Sequence, residues 1–204
     1  MELTNWLALI GVCILGAISP GPSLAVVMRN TVSGSRGLGV VTAIAHAIGV
    51  GGYALLSISG LAVVFAAYPS LQQAVTLIGA GYLAWLGVKA WRATSGDKGH
   101  ITGCKVTTWQ QAAQEGLLIS LLNPKLAIFF IALFSQFIQP GMGWLEKLTM
   151  ALTVMVIDGG WYCLIAVLIS QQRVLALLQR QGPLIDRVTG VVLIGLSIRV
   201  VTLL

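Results

Sequence analysis

Six long runs of mostly apolar positions follow one another along the chain, at Leu3–Val27, Leu38–Ala67, Leu71–Trp91, Gly116–Ile138, Leu148–Ile169 and Leu184–Leu204. Short polar or charged segments separate them. About 20 apolar residues in a helix cross the hydrocarbon core of a bilayer, so the pattern predicts a bundle of six transmembrane helices, all-α and polytopic. The second run is long enough to tilt or to project beyond the lipid. Ahead of the fourth run, Gln110–Glu115 reads as an interfacial turn. The first run has Glu2 rather than a basic segment in front of it, and Pro20 follows the candidate cleavage triplet Ala17-Ile18-Ser19. It therefore reads as a retained span and not as a leader peptide. No linker or low-complexity stretch interrupts the series, and residues 1–204 read as a single transmembrane domain.

The segments between the runs differ in charge, and the difference orients them. Arg29 and Arg36 flank the first connection, Lys89, Arg92, Lys98 and Lys105 belong to the third, and Arg173, Arg180 and Arg187 to the fifth. The second connection, around Tyr68–Ser70, has no basic residue, and the fourth, Gln139–Lys147, has only Lys147. Basic residues gather on the cytoplasmic side of membrane proteins, so connections one, three and five are expected inside and both termini outside, in the periplasm. Three spans per half then run in opposite senses, the arrangement of two inverted three-helix halves. An echo supports it: Pro20/Pro22 and Pro124 interrupt the first helix of each half, and Gly79/Gly87 and Gly190/Gly195 space the third.

Composition closes off other classes. Apolar residues make up 57% of the chain and charged residues 9%, against roughly 25% charged in soluble domains. The net charge of +6 arises from the short clusters just described, which makes it a topology signal and not a nucleic-acid surface. Cys13, Cys104 and Cys163 are too scattered for a disulfide framework or a metal site, and no cofactor motif, phosphate loop or hydrolase signature is present.

Four features carry chemistry. In Ser19-Pro20-Gly21-Pro22, two prolines around a glycine should unwind one turn of the first helix; freed carbonyls near Gly16 and Ile18 then need partners, which lipid cannot supply. The break either lines a cavity or is a packed kink. Asn123-Pro124-Lys125 makes a second break, with Asn as cap and Pro as first residue of a new half-helix. Counted from the cytoplasmic ends at 1.5 Å per residue, both breaks lie about 12 Å deep. Helix N-termini aimed inward there can hold a carboxylate, while the Lys125 charge is expected to snorkel to the surface.

Asp158 lies near the middle of the fifth run, where an acid costs ~2.5–3.5 kcal/mol on insertion scales. Such residues mark ion, proton or substrate pathways; the plainer reading is a structural hydrogen bond. His46 sits in a polar stripe of the second run, Thr42, His46, Gly49, Tyr53 and Ser57, beside a small-residue stripe, Gly39, Ala43, Ala47 and Gly51, suited to close packing within one chain or in a homo-oligomer. His46 is either a structural donor or a proton-coupling group. Arg199 is expected to snorkel outward, and Trp6, Tyr68, Trp91, Trp109 and Trp144 to form interfacial belts.

Taken in order, Ser19-Pro20-Gly21-Pro22, Gly34-Ser35-Arg36-Gly37-Leu38-Gly39, Gly79-Ala80-Gly81-Tyr82-Leu83-Ala84-Trp85-Leu86-Gly87, Leu121-Leu122-Asn123-Pro124-Lys125, Gln136-Phe137 and Asp158 resemble the LysE/RhtB amino-acid exporter family from about residue 5 to 200. The resemblance implies a multi-pass, inner-membrane secondary-active exporter of amino acids or their derivatives, driven by protons and without a cofactor. It makes Ser19, Pro20, Gly21, Pro22, Asn123, Pro124 and Asp158 the substrate-binding residues, with Asp158 and His46 the proton-coupling candidates. His46 stands where many relatives carry a small or amide residue. Two other readings remain at this point, an intramembrane enzyme using His46, Asp158 or a serine, and an assembly factor without cargo.

Overall fold

Apolar runs this long can satisfy their backbone in lipid only as helices or closed barrels, and eight α-helices and no strand account for the described residues of the computed structural model. The structure describes residues 3–19, 21–92, 108–139, 141–169 and 172–203, without the side chains of 69, 124, 125, 172–180, 182 and 203. Glu2, Pro20, Lys98, Cys104, Lys105 and Leu204 lie outside the described residues, as do the side chains of Pro124, Lys125, Arg173 and Arg180.

The helices are α1 (Leu3–Ile18), α2 (Pro22–Ser33), α3 (Arg36–Ala67), α4 (Pro69–Arg92), α5 (Trp109–Leu121), α6 (Pro124–Phe134), α7 (Trp144–Leu168) and α8 (Gln172–Leu203). Among them α3, α4 and α7 are each long and apolar enough to cross a membrane, and α1 with α2 and α5 with α6 form two further spans if each bent pair counts as one. The sixth apolar run falls in α8, where Asp186, Arg187 and Arg199 interrupt the apolar residues. Large apolar side chains such as Leu56, Ile78 and Val156 stand exposed on the outside of the bundle, as expected of a surface whose solvent is hydrocarbon and not water.

Local chemistry explains where elements begin. The Ser35 side chain accepts from the Leu38 N–H at 3.2 Å and caps α3, while the Gly34 N–H closes α2 onto the Asn30 carbonyl. Thr108 caps α5 through the Gln111 N–H at 3.2 Å. That cap corrects one expectation: Gln110–Glu115 is not a turn but the opening of α5. The fourth run also ends sooner than expected. Helix α6 stops at Phe134, and Gln136 donates to the Thr76, Ala132 and Ser135 oxygens at 2.9–3.1 Å, tying the turn to α4.

Helix α3 is the hub, packed on α2, α5, α6 and α7, while α4 pairs with α8 and α1 lies against α7 and α8. Its small-residue stripe makes this possible. A methyl placed on Gly39 would fall 1.9 Å from the Thr31 hydroxyl of α2, and one on Gly51 would fall 2.9 Å from the Met155 sulfur of α7. From the other side, a methyl on Gly116 of α5 would fall 2.2 Å from the Thr42 carbonyl oxygen. The stripe therefore packs helices within one chain. Arg199 donates to Asn5 Oδ1 at 3.1 Å and joins the end of α8 to the start of α1.

Candidate functional site

Both helix breaks form where the sequence removes a backbone donor. At the first, the Ser19 N–H still reaches the Leu15 carbonyl at 3.0 Å, after which α1 ends. Gly21 is extended (φ −151°, ψ 178°) and caps α2 without any side-chain bond, with Pro22 as first residue. At the second, α5 ends and the Asn123 carbonyl accepts from the Leu126 and Ala127 N–H groups at 3.1 and 3.2 Å as α6 starts at Pro124. The chain bends by 53° at the first break and by 54° at the second.

The two breaks meet. Ser19, Gly21 and Pro22 from the first, Asn123 from the second, and Asp158 and Tyr162 from α7 line one cavity of about 130 Å³. An apolar cavity of about 150 Å³ holds benzene, so the space suits a small organic molecule. His46 does not line it. The imidazole lies behind the carboxylate, 1% exposed, with Nδ1 2.8 Å from Asp158 Oδ2, and its ring meets the Tyr162 ring edge-on at 5.1 Å between centroids. The other ring nitrogen, Nε2, is buried without a partner among the described residues.

A buried carboxylate held from behind by an imidazole leaves its remaining oxygen positions for a cation in the cavity. Burial makes an uncompensated charge costly and a compensated one strong. The arrangement can therefore take an ammonium group, or gain and lose a proton across the His46–Asp158 pair. Cys13 also lines the cavity near Asp158.

Some contributors were not anticipated. Tyr162 lies four residues after Asp158 on the same helical face, a spacing that signals proximity. Asp186 of α8 accepts from the Ser19 hydroxyl at 3.1 Å; lying at the start of the sixth apolar run, it carried a weaker signal than the midspan Asp158. A third group joins α2, α3 and α5. Arg29 pairs with Glu115, and the Asn30 amide donates to Glu115 Oε2 at 2.9 Å and to the Thr42 hydroxyl at 3.0 Å. It links the half-helix after the first break to the half-helix before the second.

Asn30 is 1% exposed, and its removal takes one hydrogen bond each from Glu115, which keeps Arg29, and from the buried Thr42 hydroxyl, which still donates to the Leu38 carbonyl. Asn30→Ala is expected to destabilise the protein by about 2 kcal/mol, read as a lower melting temperature in detergent. Arg29→Lys, at a partly exposed pair, should cost much less; equal losses for the two would contradict this ranking.

Comparison with known proteins follows the same outline. A model of the LysE type translocator family matches residues 14–203. An uncharacterized membrane protein of Vibrio cholerae serotype O1 is 32% identical over 166 residues, 78% of this chain and 77% of that protein. One of Haemophilus influenzae is 29% identical over 191 residues, 91% and 90% of the two chains. A leucine efflux protein of Salmonella typhimurium is 31% identical over 137 residues, 67% of this chain and 64% of that protein. No solved structure matches.

Proposed function

Because the chain belongs to the LysE type translocator family, we propose that it exports amino acids or their derivatives across the inner membrane by secondary-active transport. The observation that carries this reading is the meeting of two helix breaks and one buried carboxylate at a single cavity. The leucine efflux activity in the name of a relative supports the same class of cargo.

In this reading the spans are α1 with α2, α3, α4, α5 with α6, α7, and α8, which gives six crossings with both termini outside. The half-helices α2 and α5, 12 and 13 residues long, then descend from the cytoplasmic face. At 1.5 Å per residue they reach about 18–20 Å, so the two breaks lie at matching depth, deeper than the 12 Å read from the sequence. The reason is that α2 runs on to Ser33 and α5 starts at Trp109.

The cargo carboxylate meets the first-turn N–H groups of α2 and α6, where helix dipoles favour an anion. Its ammonium meets Asp158. A proton taken up by the Asp158–His46 pair competes with the ammonium and returns the carrier inward; the unpartnered His46 Nε2 gives the pair room for that proton. Moving one charge through the membrane field is worth about 2.3 kcal/mol per 100 mV, enough to bias each cycle.

An enzyme reading finds less support, since among the described residues the His46 ring bonds to Asp158 and to no serine. The assembly-factor reading called for a sealed interior at Asp158, where a cavity lies instead. The test is efflux of labelled amino acids from preloaded cells and growth rescue against toxic amino acids. Cells carrying the protein should lose label several-fold faster than cells without it. Equal efflux and no rescue across basic, neutral and acidic amino acids would overturn the exporter reading.

A further inference from the structure

One wall of the cavity is built as a gap of fixed width. Gly16 of α1 and Phe129 of α6 both line it, along with Asp158. A methyl placed on Gly16 would lie 3.7 Å from Phe129 Cζ and 3.9 Å from Cε1. The ring therefore faces bare helix backbone across a space one methyl wide. Phe130, which also lines the cavity, lies beside the Phe129 ring at 5.7 Å between centroids and stacks on Phe134 at 5.5 Å. Phe130 and Phe134 are core residues, 3% and 0% exposed, and anchor that side of the cavity in close-packed surroundings.

Leu86, Leu126 and Leu193 add apolar lining to the same cavity, and Asp158 is the charged side chain among the described lining residues. A cargo with one ammonium finds a counter-charge. A negative charge on the cargo side chain finds no cationic side chain among the described lining residues, and a second positive charge must share Asp158 with the ammonium.

We propose that Gly16 and Phe129 set the specificity of the carrier, admitting neutral amino acids with an apolar side chain and fixing the largest side chain that fits. The proposal rests on the exporter reading and adds to it the class of cargo and the residues that gauge it. Gly16 supplies width by lacking a Cβ, and Phe129 limits width by its ring. Changing either one should move the size limit, in opposite directions.

The experiment measures counterflow of labelled alanine, leucine and phenylalanine in proteoliposomes, for the wild type, Gly16→Ala, Phe129→Ala and Phe129→Leu. One methylene in an apolar pocket changes discrimination by about tenfold or more. Phe129→Ala should raise transport of phenylalanine relative to alanine by about that factor, with Phe129→Leu between it and wild type, and Gly16→Ala should lower the same ratio similarly. Gly16→Ala adds only an ordinary van der Waals contact and Phe129→Leu keeps an apolar side chain, so these two serve if Phe129→Ala fails to fold. Unchanged ratios in variants that still transport, or shifts of one sign for both positions, would overturn the gauge and leave the exporter reading standing. A wild type that moves none of the three, yet moves lysine or glutamate, would also overturn it. Transport of no amino acid at all would remove both.

Discussion

Asp158→Asn is expected to cut export by about two orders of magnitude while leaving the protein folded. The amide has the shape of the carboxylate and its oxygen can still accept a hydrogen bond from His46 Nδ1, which lies 2.8 Å from Oδ2 in the native pair. What disappears is the negative charge at the cavity. An ammonium brought there from water then meets a neutral amide, and breaking such a buried charge pair costs about 3–5 kcal/mol. At 1.4 kcal/mol per tenfold, export should fall by about a hundredfold or more. The same change removes the carboxylate half of the pair and leaves His46, so the pH dependence of any residual efflux should be weakened. Cys13 and Tyr162, the other titratable groups among the described lining residues, remain in the variant, as does His46 behind the carboxylate. Asp158→Glu keeps the charge on a longer stem and should restore part of the activity. Full pH-dependent efflux in Asp158→Asn, from protein present at wild-type levels, would show that the carboxylate is structural.

The residues that were legible in the sequence are those whose chemistry is costly in an apolar run. Two prolines about a glycine, a second break at Asn123-Pro124, and an acid within the fifth run each cost free energy wherever they fall in a membrane helix. Each therefore announces itself without knowledge of the fold. Helices α3, α4 and α7 were legible for the complementary reason, since no proline breaks their interiors. What stayed hidden depends on pairing across elements. Glu115 sits among polar residues at the start of an apolar run, where an acid costs little, and only the approach of α2 gives it Arg29 and Asn30. The same polarity made Gln110–Glu115 look like a turn. The partner of Arg199 stayed hidden too, because the pattern could not supply Asn5, 194 positions away. Phe129 was unremarkable among Ile128, Phe130 and Ile131; its importance comes from Gly16 lying opposite, a relation that no single helix pattern contains.

The crossing of α4 and α8 gives the second large effect. The spaced glycines at Gly79/Gly87 and Gly190/Gly195 suggested matching third helices, and the structure separates their roles. A methyl on Gly190 would fall 2.6 Å from the Gly87 carbonyl oxygen and 3.0 Å from the Trp91 backbone nitrogen; one on Gly87 would fall 2.8 Å from the Gly190 oxygen. Those atoms are backbone, so they cannot swing away as a side chain can, and the helices must part to admit even one carbon. Gly190→Ala is therefore expected to destabilise the protein by about 3 kcal/mol or more, the upper range for overpacking, and to cut the yield of monodisperse protein in detergent sharply. Gly195→Ala is the control on the same helix, since a methyl there meets nothing within 4 Å, and it should be tolerated. The consequence reaches the cavity. Leu86 and Thr189, which line it, are the residues immediately before Gly87 and Gly190, so any Gly190→Ala protein that survives carries a wall displaced from the cargo. Such protein should lose discrimination between alanine and phenylalanine along with stability. A Gly190→Ala variant as stable and as selective as wild type would mean that the backbones of α4 and α8 do not touch as described.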